Sequence, residues 1–81
     1  MIVGHAKPTS VTKYCYQICA NDRNTSLLTY SYTYNGASYN GSLEPNTCTI
    51  VCADENSVTY DLNGTTTRLD ECNSLADCSG D

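Results

Sequence analysis

The chain has 81 residues, a net charge of -5 and six cysteines, with seven tyrosines and neither tryptophan nor phenylalanine. A chain of that length makes a single domain. Four basic residues against nine acidic ones exclude a nucleic-acid or acidic-membrane surface, and no apolar run is long enough to cross a bilayer.

Residues 1–9, MIVGHAKPT, read as a flexible tail punctuated by Gly4 and Pro8, and residues 10–81 as one stapled domain. The tail lacks the basic start and apolar stretch of a signal peptide, so the chain is expected to be a mature form. Ser10 is placed to cap a short helix over residues 11–19. Val11, Tyr14, Cys15, Ile18 and Cys19 recur at i, i+3, i+4, i+7 and i+8, one face of such a helix. The Val, Thr and Tyr of the same stretch also suit a strand. On the helix, Cys15 and Cys19 share a face and Tyr16 falls off it, exposed. Residues 20–26 are polar and loop-forming, with Arg23 among them.

Residues 27–43, LLTYSYTYNGASYNGSL, carry the strongest local signal. Asn35-Gly36 is a type I′ loop dipeptide, since both central residues of that turn need positive φ. The loop sets Tyr34 opposite Ala37, Tyr32 opposite Tyr39, Tyr30 opposite Gly41 and Leu28 opposite Leu43. One face is then tyrosine and leucine, and the other hydroxyl and amide. A turn at Pro45 leads to a strand over residues 48–53, CTIVCA. Asp54-Glu55-Asn56 reads as a solvated turn. A strand over residues 57–62 and a second two-residue loop at Asn63-Gly64 predict another hairpin, with Val58 opposite Leu69. Residues 69–81 read as a helical turn or loop pinned by Cys72 and Cys78. The fold class is a small, disulfide-rich, mostly β domain of antiparallel hairpins with one short N-terminal helix.

The aliphatic stock is thin. Ordering costs about 1.5 kcal/mol per residue while apolar burial returns about 25 cal/mol per Å², and in so small a domain the two nearly cancel. Cys15, Cys19, Cys48, Cys52, Cys72 and Cys78 supply staples. An even count in a short chain reads as three bridges of about 2–4 kcal/mol each. The irregular CxxxC spacing does not match a zinc knuckle. Cys48 and Cys52 lie about 13 Å apart along one strand face and cannot bridge each other. Cys15 and Cys19 on a helix are no better placed, so each is expected to reach the strand pair or the C-terminal pair. Disulfides belong to an oxidising compartment. Sequons at Asn24, Asn40 and Asn63 agree, and a secreted glycoprotein is expected.

Little in the chain suits catalysis. The one histidine, His5, lies in the tail, and the carboxylates are scattered over turns and ends. No phosphate loop or calcium loop is present. No enzyme, cofactor or metal is expected. Without Phe or Trp, the tyrosines must build core, with their hydroxyls reaching the surface. Tyrosine is also enriched where proteins bind each other. The candidate partner contacts are Tyr16, Arg23, Tyr34 and Asn35. Arg23, in a loop after Cys19, is placed as a protease inhibitor would place its specificity residue.

Six cysteines from Cys15 to Cys78, several sequons and tyrosine-threonine strands give the chain a resemblance to the cysteine-rich proteins of tick saliva. Among these it looks most like the small inhibitors of complement component C5. It is less similar to the chemokine-binding evasins, whose longer form carries a cysteine cluster that this chain lacks after Cys78. The resemblance implies a protein that holds a host protein, C5 first, so that it cannot be cleaved; a monomer is expected. The alternatives are chemokine capture, to which the acidic charge would steer a basic partner, protease inhibition through Arg23, and an extracellular structural module with no inhibitory activity.

Overall fold

The computed structural model describes residues 11–21, 27–61 and 64–78. Among these, six strands form: β1 (Lys13–Ala20), β2 (Leu28–Tyr34), β3 (Ala37–Leu43), β4 (Cys48–Asp54), β5 (Thr59–Tyr60) and β6 (Gly64–Glu71). A 3-10 turn follows at Leu75–Cys78. The strands make two antiparallel three-stranded sheets, ordered β4-β1-β6 and β3-β2-β5.

The β2–β3 hairpin has the register the loop dictates, from Tyr34 opposite Ala37 to Leu28 opposite Leu43. Asn35 and Gly36 sit at φ of 53° and 83°, the left-handed pair that a type I′ loop requires. Leu28 and Leu43 are buried at the far end of its apolar face, while Thr29, Ser31, Ser38, Asn40 and Ser42 of the polar face are exposed.

The helix expected over residues 11–19 is a strand. β1 lies between β4 and β6 and pairs with both. Its even positions, Tyr16, Ile18 and Ala20, pack into the core between the sheets, and its odd position Cys15 packs into a second cluster with Cys52 and Cys72. A strand buried on both faces scatters its apolar residues without strict alternation. Here Tyr14 and Ile18 serve one face and Cys15 and Cys19 the other, which reproduces helical spacing by coincidence. The same change corrects Tyr16: it is 5% exposed, and its hydroxyl accepts the Asn56 amide at 3.0 Å.

Among the described residues the second expected hairpin does not form either. β5 joins β2, with Tyr30 opposite Tyr60, whereas β6 joins β1 in the other sheet, with Tyr16 opposite Arg68. The expected strand over residues 57–62 shrinks to Thr59–Tyr60. β1 offers β6 an eight-residue edge, and that longer ladder prevails over a local pairing. Asn63 lies outside the described residues.

All six cysteines are paired, as Cys15–Cys78, Cys19–Cys48 and Cys52–Cys72. The last two cysteines therefore bind the C-terminal segment to β1 and β4. The sulfurs of Cys15, Cys72 and Cys78 lie within 4.8 Å of one another because two bridges stand side by side. This disulfide framework fits an oxidising, extracellular setting. Among the described residues no helix is long and apolar enough to cross a membrane.

Candidate binding surface

The hairpin tip is held on β4 by one carboxylate. Asp54, at the end of β4, is only 6% exposed. It accepts the Asn35 amide at 2.8 Å, the Gly36 amide at 2.9 Å and the Thr33 hydroxyl at 2.7 Å. Lys13, opposite Asp54 in the register, is buried too, and its ammonium donates to the Asn35 side-chain oxygen at 3.1 Å. Burial raises the Asp54 carboxyl, but the Gly36 amide, the Thr33 hydroxyl, the Asn35 amide and the Lys13 ammonium together hold it below the ordinary carboxylate value. Asp54 was expected in a solvated turn. Its neighbour Glu55 fits that reading, being exposed, with Arg68 at 3.7 Å. Nothing near Asp54 in the sequence betrays it, since its partners lie 18 to 21 residues away.

With the tip fixed, the tyrosines of the hairpin line up. Tyr30 stacks on Tyr32 at 6.3 Å, Tyr32 on Tyr39 at 5.6 Å, and Tyr34 meets Tyr39 edge-on at 6.5 Å. The Tyr34 hydroxyl donates to the Asn73 carbonyl at 2.6 Å, which ties the row to the C-terminal segment. Burial, with Tyr30 and Tyr39 beside it, pushes the Tyr32 hydroxyl above its ordinary value.

A cleft of about 290 Å³ opens between this row and β4, lined by Tyr32, Tyr34, Tyr39, Val51, Cys52 and Leu75. Two of its walls face solvent: Tyr39 is 47% exposed and Leu75 is 58% exposed. Its back is Cys52, bridged to Cys72, and the turn that carries Leu75 ends on Cys78, bridged to Cys15. The cleft is therefore apolar, aromatic on one side and covalently braced on the other.

Of the expected contacts, Tyr34 lines this cleft. Asn35 is exposed beside it, but its amide and side-chain oxygen are already engaged. Tyr16 is in the core and offers no surface. Arg23 lies outside the described residues, as do Asn24 and Asn63, while Asn40 is exposed on β3. Sequence reasoning missed Tyr32, Tyr39, Val51 and Leu75 as contacts. Leu75 is an isolated leucine in a polar stretch, and only its nearness to Cys78 hints that it is brought onto a sheet.

No protein-family model matches the chain, and no curated protein or solved structure is similar to it.

Proposed function

We propose that the chain is an extracellular binding protein that occupies the surface of a host defence protein, with complement C5 as the first target. One observation carries the binding reading. Tyr39 and Leu75 stand exposed as walls of an apolar cleft whose back and Leu75 wall are held by two disulfides. Such a surface loses little freedom when a partner covers it, so a modest contact can still be tight. Aromatic and aliphatic anchors at a rigid cleft are where binding energy concentrates. The choice of C5 rests on the resemblance to the tick salivary inhibitors. The charge of -5 favours a basic partner and supports chemokine capture as the second reading.

The test is a pull-down from mammalian serum on the immobilised oxidised protein, read by mass spectrometry, with reduced and alkylated protein as control. Recovery of C5 on the oxidised protein only is expected. Tyr39→Ala and Leu75→Ala should each weaken capture by about tenfold, near 1.4 kcal/mol, with each variant shown by thermal melting to be folded at the assay temperature. Failure to recover C5 removes that target. Recovery that both variants leave unchanged removes the cleft as the site.

A further inference from the structure

The terminal strand of a sheet carries backbone N–H and C=O groups with no partner, and small β proteins guard such edges with charge, proline, bulges or cover. Among the described residues three long strands are terminal. β6 is guarded by exposed Arg68, Asp70 and Glu71. β4 packs against β2 and the 3-10 turn and ends at the buried Asp54. β3, ASYNGSL, has no charge and no proline, and its register is unbroken. Ala37, Ser38, Tyr39, Asn40 and Ser42 of this strand are exposed.

The direction of its free groups follows from the loop. A two-residue hairpin loop is flanked by a hydrogen-bonded pair, here Tyr34 and Ala37, and such pairs alternate along the ladder. Ala37, Tyr39, Gly41 and Leu43 thus turn their backbone groups toward β2. Ser38, Asn40 and Ser42 turn theirs outward.

We propose that β3 is a self-association edge. Two copies pair antiparallel about a two-fold axis at Asn40 and join their β3-β2-β5 sheets into one. Three features favour a second copy over a foreign strand. First, the outward set is symmetric about Asn40. Ser38 meets Ser42 of the second copy and Asn40 meets Asn40, so every outward N–H and C=O on the strand finds a partner. Secondly, two chains of charge -5 repel across most of their surfaces, and β3 is the long edge where neither brings a charge. Thirdly, the axis sets the exposed Tyr39 opposite Gly41. That position is flat because Tyr30 covers it: a Cβ at Gly41 would stand 2.5 Å from the Tyr30 hydroxyl. The tyrosine row then continues across the seam. Asn40 also begins a sequon, and a glycan there would close the edge.

The experiment is sedimentation of the full oxidised chain, made without glycans, from micromolar to millimolar concentration. Three proteins are compared: the parent, Asn40→Lys and Thr65→Lys. Both substitutions lessen the net negative charge by the same step, so general repulsion falls equally in each. In the first, two lysines meet on the axis. In the second, the lysine lies on β6. The parent should dimerise, and more so at higher salt. Asn40→Lys should associate about tenfold or more weakly than the parent. Thr65→Lys should associate at least as well as the parent. Disulfide mapping and thermal melting check that each variant keeps the fold, and Asn40→Pro, which removes one outward N–H and no bond to β2, repeats the test if Asn40→Lys does not fold. A parent that stays monomeric at millimolar concentration overturns the proposal and leaves the edge to an extended segment of another protein. Equal behaviour of the two lysine variants overturns it as well.

Discussion

Asp54 concentrates more of the fold in one side chain than any other described residue. It satisfies two backbone amides at the tip of a hairpin and one hydroxyl, and it does so beside a buried ammonium. Asp54→Ala leaves those donors without their acceptor and takes the nearby negative charge away from buried Lys13. A loss of about 3 kcal/mol is expected, measured as a shift in the denaturant midpoint with disulfides intact. Asp54→Asn keeps part of the geometry and should cost about half as much. The carboxyl also sets a pH dependence. Its folded value lies below the unfolded one, which is about 3.9. Its stabilisation is therefore fully present above that range and lost as the pH falls through the folded value. The denaturant midpoint should hold from neutral pH to about pH 5 and then fall, and the fall should be shallower in Asp54→Asn. Gly36 is the other sensitive residue. A Cβ there meets no atom within 4 Å, yet φ is 83°. Gly36→Ala should cost about 1–2 kcal/mol through backbone strain alone.

At the level of elements, local chemistry was legible and distant chemistry was not. The β2–β3 register could be read because a two-residue loop fixes it without help from the rest of the chain. β1 could not be told from a helix because its two buried faces share the apolar residues between them. The Asn63-Gly64 dipeptide carries the same local signal as Asn35-Gly36, but the strands flanking it belong to different sheets. Turn chemistry proposes a hairpin, and the longer ladder available elsewhere decides against it. The cleft was illegible for a related reason: Leu75 reaches it through a bridge of sequence separation 63. The disulfides differ accordingly in what they support. Replacing Cys19 and Cys48 by alanine should cost about 3.5 kcal/mol, from the loop closed, and leave partner affinity unchanged below the melting transition. Replacing Cys15 and Cys78 should cost about 4 kcal/mol and lower affinity too, because the turn that carries Leu75 is released.

For the molecule as a whole, covalent bonds and packing are comparable in size. Three bridges at about 3–4 kcal/mol each match the entire net stability expected of a domain of this length, about 4–12 kcal/mol. The reduced chain should therefore be unfolded at 25 °C, losing its strand signal in far-ultraviolet circular dichroism on reduction and regaining it on oxidation. The order of the strands has a further consequence. One sheet takes the first, fourth and sixth strands and the other takes the second, third and fifth, so the chain passes between them four times. Neither the N-terminal nor the C-terminal half contains a complete sheet. During synthesis the β2–β3 hairpin is the one sheet element that closes early. β1 must wait, apolar on both sides, until β4 and then β6 have been made. Such topologies fold slowly, because distant segments must meet before any contact rewards them. The chain is thus indivisible: a fragment ending before β6 lacks a strand of the β4-β1-β6 sheet and Cys72 and Cys78 with it, and a nascent protein of this kind depends on its surroundings to keep β1 out of other company.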